Sequence, residues 1–261
     1  MSSLKNKAKG GYRVFQAVLF DPIEVARKLK GLPFYIRDAI RYVKNSRNKT
    51  FRVGFTDLYP ILAERFMEAG SARGHYFFQD IWAARKLKEM SIQAHVDVGS
   101  RLDGFVAHVL LFSKVTYVDI RPLGISVDGL EFKQGSILRM PFPDGSVPSL
   151  SSLHVLEHIG LGRYGDPVDP SGHITAAKEL KRILSPNGSL LIGVPVGKER
   201  LCFNAHRVFD PATVAGLFEG LKLKEFSLIN DSGVGIIHNA SFEQARSCDY
   251  GCGLFTFIRE S

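Results

Sequence analysis

Apolar positions recur along this chain with two periods, and the alternation between them outlines the fold. Residues 95–99, 115–119, 147–155 and 190–194 are short apolar or β-branched runs that read as buried strands. Residues 221–229 alternate as a half-buried strand, and 253–259 read as the last one. Between them the spacing is helical. Residues 102–112 fit a short helix after the first strand, and 173–184 carry Ile174, Ala177, Leu180, Ile183 and Leu184 before Pro186-Asn187-Gly188 turns the chain into the next strand. Strand and helix alternating from 94 to 230 predict an α/β doubly wound, mostly parallel sheet. Ahead of it, residues 22–30, 33–43, 58–69 and 76–90 have apolar residues at helical intervals, with 51–53 as a short extended piece. Two regions are expected, a mainly helical N-terminal extension over 1–90 and the sheet domain over 91–261.

The strand ends carry the first chemistry. His95-Val96-Asp97-Val98-Gly99 ends in a carboxylate and a glycine, and the strand 115–119 ends in Asp119, 22 positions after Asp97. Ligands of open α/β sheets bind beyond the carboxyl ends of the strands, and a carboxylate about 20 residues after the first turn can accept from both hydroxyls of a ribose. An adenosine-containing ligand is therefore expected. The turn Gly99-Ser100-Arg101-Leu102-Asp103-Gly104 is not the glycine fingerprint of a dinucleotide site, and no phosphate loop occurs, so a ligand without a phosphate clamp at this turn fits better.

Further segments follow in an order that resembles the class I S-adenosylmethionine-dependent methyltransferases over roughly residues 92–230. Gln134-Gly135-Ser136-Ile137-Leu138-Arg139-Met140-Pro141-Phe142-Pro143-Asp144-Gly145-Ser146 is similar to that family's G-D-x-x-x-L-P-F-x-D-x-S stretch. Ser151 to His158 is similar to its fourth strand and following loop, and Glu179 to Pro195 to its E-x-x-R-V-L-K-P-G-G-x-L-x-I-x-V-P signature. The resemblance implies a Rossmann-like, seven-stranded sheet completed by a terminal antiparallel pair, with S-adenosylmethionine as cofactor. It places Asp97, Gly99, Ser100 and Arg101 around the methionine moiety and Asp119 on the ribose. Ile120 would lie against the adenine, Ser136 and Ile137 at its edge, and His154 near the sulfonium. Two departures stand out: Arg101 and Asp103 occupy positions where the family has glycine, and Ser136 offers a hydroxyl where the family has aspartate.

Methyl transfer needs a positioned acceptor and, for a hydroxyl or amine, a base. His158 is the first candidate because histidine titrates nearest neutrality. Glu157 would orient it or bind the acceptor, and His206, after the fifth strand, is the second candidate base. Arg163 and Arg207 would suit an anionic acceptor. Tyr76, Phe77, Phe78 and Gln79 are candidate walls from the N-terminal segment, and the glycine-rich stretch 230–251 is a candidate acceptor loop. Two other readings compete. One is a Rossmann-like binding module that has lost cofactor use. The other is a zinc peptidase through His154-x-x-Glu157-His158, which requires these residues to share a helical face.

Charge separates the two regions. Residues 1–50 hold 12 Lys or Arg against 3 acids, whereas the rest holds 22 against 23, for a total of +8. The basic arm suits an anionic membrane surface or an anionic glycan, and no stacking pattern or motif favours nucleic acid. The expected acceptor is a small molecule, sugar or glycan. No apolar run reaches the length of a membrane span or a leader, so a cytoplasmic, at most membrane-peripheral, protein is expected. Three cysteines, Cys202, Cys248 and Cys252, form no disulfide framework, and the Cys248-x3-Cys252 spacing without a second pair leaves no expected metal.

Overall fold

A computed structural model describes residues 22–45, 53–62, 64 and 74–261. The chain divides into two compact units, 1–71 and 72–261. In the first, α1 (Pro22–Asn45) is one helix where the sequence predicts two, because Pro33 lies inside it. The apolar residues Leu29, Leu32, Ile36, Ile40 and Val43 stay in phase across the proline, so one stripe continues through it. Of the helix expected over 58–69, residues 58–62 are not helical, and most of the remainder lies outside the described residues, as does nearly all of the piece at 51–53.

The second unit is built on a seven-stranded sheet. Its strands are β1 (Ala94–Val98), β2 (Lys114–Asp119), β3 (Leu130–Gln134), β4 (Val147–Leu153), β5 (Leu184–Val196), β8 (Lys222–Ile229) and β9 (Gly251–Ile258). β6 (Arg200–Cys202) and β7 (His206–Val208) form a separate hairpin. The order is β3-β2-β1-β4-β5-β9-β8. The first five strands are parallel, and β9 runs antiparallel to both of its neighbours, completing the mostly parallel, Rossmann-like sheet.

Helices cover both faces, as a parallel sheet requires. On one side α4 (Gly172–Ile183) buries Ala176, Ala177, Leu180 and Ile183 with Leu150, Leu190 and Ile192 of the sheet. α5 (Pro211–Leu217) and α6 (Phe242–Arg246) add Val214 and Ala245 to the same core. On the other side α2 (His75–Glu89) packs Trp82, Ala83 and Leu87 with Val115, Leu191 and Leu254. The sequence reading assigns this helix to the N-terminal extension, but its apolar face is an integral part of the sheet's core.

After β1 the helix expected over 102–112 begins as a π turn, Leu102–Val106, and only then becomes α3, Ala107–Val109. Gly104 sits within that turn, and a Cβ there would lie 2.0 Å from Asp80 Oδ2, so the buried Asp80 of α2 approaches backbone that only glycine can offer.

Candidate active site

Strand order reverses between β1 and β4, and a crevice opens beyond the carboxyl ends of β1, β2 and β4. Its walls are apolar: Val98, Val118, Ile120, Ile137, Leu138 and Val155. Its polar groups are Asp119, Arg121, Ser136, His154, His158, Tyr164 and Asp166. Gly99 turns the chain at φ +69°, where an added Cβ would press to 3.2 Å from Val155 Cγ2. Backbone can therefore come close to a ligand at this point.

Beneath that turn lies a buried polar network. Asp97 is fully buried and accepts hydrogen bonds from the Ser100 N–H (3.0 Å), the Ser100 hydroxyl (2.6 Å) and the Ser151 hydroxyl. Ser151 and Ser149 each lie 2.8 Å from a ring nitrogen of buried His95, and the Leu153 N–H donates to Ser100 Oγ at 3.0 Å. Burial raises the Asp97 pKa to about 6 against the pull of these donors, and burial lowers that of His95 to about 3. Asp97 and Ser100 thus tie β1 to β4 under the crevice floor and do not line it. Arg101 faces outward, forked onto Asp103 at 3.1 and 3.0 Å, with its guanidinium over the Tyr76 ring. The two large side chains that replace glycines in this turn therefore neutralise each other, and neither lines the crevice.

Asp119 ends β2 in the crevice with only 9% of its surface exposed. Oδ1 accepts from the Arg121 N–H (2.8 Å) and Nε (3.0 Å), and Oδ2 from Arg121 Nη2 (2.7 Å) and the Tyr117 hydroxyl (3.1 Å). Burial works against the carboxylate, but the Arg121 bonds and charge outweigh it and hold the pKa below the ordinary value. The same guanidinium lies over the Tyr164 ring at 4.7 Å.

The exit of β4 gathers the titratable groups. His154 adopts φ +55° and its Nδ1 is 2.7 Å from Glu157 Oε1, while Glu157 is itself buried to 1% exposure. Burial disfavours the His154 imidazolium, but Cys252 and Glu157 favour it and the net direction is upward. His158 Nδ1 donates to the Ala205 carbonyl at 2.6 Å, which leaves Nε2 as the basic nitrogen, 3.6 Å from Glu157 Oε1. Burial lowers its pKa, so His158 is a neutral imidazole near pH 7. His206 is half-buried, packs on Tyr250 with ring centroids 4.9 Å apart, and is also shifted down by burial. Arg163 donates to Ala205 O (2.9 Å), and Arg207 donates to the carbonyls of Ile159 (2.7 Å), Glu157 and Pro170. Arg207 therefore holds this loop through its carbonyls.

The peptidase reading does not survive this geometry. Residues 156–158 form a single 3-10 turn after a left-handed His154, and His158 points Nδ1 at a carbonyl, so His154 and His158 share no helical face.

Of the residues singled out in the sequence, Gly99, Asp119, Ile120, Ser136, Ile137, His154 and His158 line one crevice. Glu157 stands behind them between two histidines, and His206 opens the second strand of the hairpin. Sequence reasoning passed over Arg121, Tyr164 and Asp166 as wall residues. Arg121 was readable, since residues two apart in extended chain share a face and Arg121 follows Asp119 by two. His75, Tyr250 and Cys252 had no such signal, because His75 and Cys252 reach His154 from α2 and β9, and Tyr250, just before β9, stacks on His75.

The sheet order, its single reversed strand and the crevice together define the fold of class I S-adenosylmethionine-dependent methyltransferases. Solved structures agree. The 1,6-didemethyltoxoflavin-N1-methyltransferase of Burkholderia thailandensis, solved with 1,6-didemethyltoxoflavin and S-adenosylhomocysteine, is similar at a TM-score of 0.52 and 15% identity, over 93% of this chain and 92% of that one. A protein assigned as a sarcosine dimethylglycine methyltransferase from Galdieria sulphuraria gives 0.51 at 17% identity, over 69% and 85% of the two chains. The [4+2]-cyclase SpnF also shares the fold, at 0.51 and 12% identity over 74% and 86%. A family profile described as "Caenorhabditis protein of unknown function, DUF268" matches residues 132–244. No curated protein matches the chain.

The residues present fit an adenosine group: a carboxylate at the end of β2, a close backbone turn at Gly99, and aliphatic walls at Ile120 and Ile137. The fit requires the Arg121 fork to leave Asp119.

Proposed function

We propose that this chain transfers a methyl group from S-adenosylmethionine to a small-molecule, sugar or glycan acceptor. The observation that carries this reading is the carboxylate of Asp119 facing an apolar crevice at the switch point of the sheet. When bound, S-adenosylmethionine would supply an electrophilic methyl on a sulfonium, which an acceptor lone pair attacks in line while the carbon–sulfur bond breaks and its electron pair stays on the departing thioether. Asp119 would take the ribose hydroxyls, Ile120 and Ile137 the adenine faces, and Ser136 a hydrogen bond at the adenine edge. The Gly99 turn would pass beside the methionine portion. His158 is the candidate base, its Nε2 taking the acceptor proton while the Ala205 carbonyl fixes the tautomer. Glu157 would stabilise the imidazolium that results, at 3.6 Å.

Calorimetric titration of S-adenosylmethionine and S-adenosylhomocysteine into the chain, beside Asp119→Ala, tests the cofactor half. Binding lost in the variant supports the reading and justifies a screen of acceptors with labelled methyl donor. A second reading, a binding module without cofactor use, is favoured by one feature: every acceptor position of Asp119 is already filled. Absence of heat with either ligand would decide for it.

We also propose an anionic lipid surface as partner of α1. Leu29, Leu32, Ile36, Ile40 and Val43 are exposed on it, and Lys30, Arg37, Arg41 and Lys44 accompany them. Among the described residues no helix is long and apolar enough to cross a membrane. Flotation with vesicles rich in phosphatidylserine, compared with phosphatidylcholine alone, checks the partner; equal partition in both would refute it.

A further inference from the structure

His75, His154 and Cys252 come together from three elements: the first turn of α2, the exit of β4, and β9. Their ligating atoms all lie within 4.8 Å of one another. Several features of this cluster have no role in the methyl-transfer reading. His154 Nε2 is buried and has no hydrogen-bond partner. A buried imidazole nitrogen without a partner has lost its hydration with nothing in exchange unless something occupies it. His154 is also held at φ +55°, a conformation that few non-glycine residues adopt and that aims the ring toward α2 and β9. Cys252 is fully buried, and its sulfur interacts with the His154 ring and otherwise has only long contacts, 3.7 Å to Gln79 Oε1 and 3.9 Å to Gly253 O.

The surroundings of the two imidazoles match what metal-binding histidines require. A ligating histidine directs its other ring nitrogen to a carboxylate or a backbone carbonyl, which fixes the tautomer and strengthens the donor. His154 presents Nδ1 to Glu157 Oε1 at 2.7 Å, and His75 presents Nε2 to the Tyr250 carbonyl at 3.0 Å. This leaves His154 Nε2 and His75 Nδ1 as the nitrogens with free lone pairs. The rings are parallel to within 3°, with centroids 5.2 Å apart. Two imidazoles on one tetrahedral ion, with bonds of about 2.0–2.1 Å, have ring centres about that far apart, but each ring plane must contain the ion, so one of the stacked rings must turn about its Cβ–Cγ bond when the ion binds. The buried Glu157 carboxylate and the Cys252 sulfur supply the negative charge that a divalent ion needs in a site of low polarity.

We propose that His75, His154 and Cys252 bind one divalent transition-metal ion of the zinc class. Two imidazoles and a thiolate are borderline-soft donors that select zinc or cobalt over magnesium or calcium. Binding forms two metal–nitrogen bonds and one metal–sulfur bond, and the Cys252 thiol proton, with any proton on the ligating nitrogens, passes to solvent. Three protein ligands leave a fourth position for water or a substrate atom, and His154 places the ion beside the crevice. Glu157 is a positioning residue that acts through His154. This ligand set is not the His154-x-x-Glu157-His158 string, and it goes against the expectation of no metal drawn from the cysteine spacing.

Cobalt is the probe because a thiolate–cobalt bond has its own charge-transfer absorption in the near ultraviolet. The full chain, stripped with chelator, should take up one equivalent of Co2+ with that band and with visible bands of tetrahedral intensity, and Zn2+ should remove both. Cys252→Ser should abolish the near-ultraviolet band, whereas Cys248→Ser should retain it. Glu157→Gln should keep the spectrum and weaken affinity by about 10–100-fold. Zn2+ should raise the melting temperature of the wild type and of Cys248→Ser but not of Cys252→Ser, which also establishes that the variant is folded. No stoichiometric cobalt uptake, or a band that persists in folded Cys252→Ser, overturns the proposal. None of these readouts involves S-adenosylmethionine, so failure of the metal site and failure of the methyl-transfer reading remain distinct.

Discussion

Arg121→Ala should tighten the binding of S-adenosylhomocysteine. Four donors fill the four lone-pair positions of Asp119: the Arg121 N–H and Nε on Oδ1, and Arg121 Nη2 and Tyr117 on Oδ2. The two guanidinium bonds, 3.0 and 2.7 Å, take one position on each oxygen, which is the arrangement a vicinal ribose diol would use. A ribose must therefore displace the fork, while the backbone N–H and the tyrosine remain. Asp119 is 9% exposed but the Arg121 side chain is 54% exposed, so the pair is screened on one side. A net strength of about 1 kcal/mol, the upper end for partly exposed pairs, is appropriate. Removing the competitor should then lower Kd by about three- to tenfold. Arg121→Met, which keeps an unbranched stem and loses the fork, should behave like Arg121→Ala if competition is the cause. Calorimetry at two salt concentrations adds a check, since the wild type should gain affinity relative to the variants as salt weakens the pair. Weaker binding by both variants would refute the argument and make Arg121 a ligand of the cofactor instead.

Three further outcomes are expected. His158→Ala should lower kcat for an identified hydroxyl or amine acceptor by about 10²–10⁴-fold with little change in cofactor affinity, and the wild-type acid limb should fall below the ordinary imidazole value of 6.5, because burial favours the neutral ring; an acid limb above 6.5 would contradict this. Gly104→Ala should destabilise the fold by about 1–3 kcal/mol because the new Cβ meets Asp80 Oδ2 at 2.0 Å, and Asp80→Ala in the same chain should recover part of that loss in urea melts; additivity of the two changes would deny the contact. Asp97 has a folded pKa of about 6 against 3.8 when free, so the folded state binds the extra proton between these values, and the stability it contributes, about 3 kcal/mol, is present below pH 4 and lost as pH rises through 6. Buried His95 has the opposite sign over an overlapping range, so the measurement is the difference between Asp97→Asn and wild type at pH 4 and pH 7. The variant should gain on the wild type as pH rises, and a difference independent of pH would sink the assignment.

What could be read from the sequence follows from how far apart the interacting residues lie along the chain. Strands and helices of the sheet were legible because burial on both faces leaves continuous apolar runs separated by periodic helices, and residues such as Ala177, Leu180 and Ile183 carry that period locally. The crevice was legible for a related reason: fold topology alone brings the ends of β1, β2 and β4 to one place, so Gly99, Asp119 and His154 could be named without coordinates. Direction of a side chain was not legible. Asp97 and Asp119 both stand at strand ends beside a turn, yet the serines opposite Asp97 draw it under the floor, while Asp119 faces the opening. Ser151 lies on a strand 54 residues away, and no local pattern reports such a pairing.

The same limit explains why the fold does not name the acceptor. SpnF, a cyclase, and the toxoflavin methyltransferase share this sheet with the present chain at nearly equal similarity, so the sheet is compatible with more than one reaction and the discriminating groups lie in what surrounds it. In this chain those groups cluster at the β4 exit, where His75 from α2, Tyr250 and Cys252 from the β9 side, and His206 from the hairpin converge on His154, Glu157 and His158. The cofactor half depends on one carboxylate and one turn, which any member of the fold can supply. Under the proposed methyl transfer the acceptor would meet the β4 exit, where seven residues come from four separate parts of the chain, and the chemistry there would differ according to whether His154 carries a proton or a metal. Determining what occupies His154 Nε2 therefore narrows the acceptor more than any further comparison of folds.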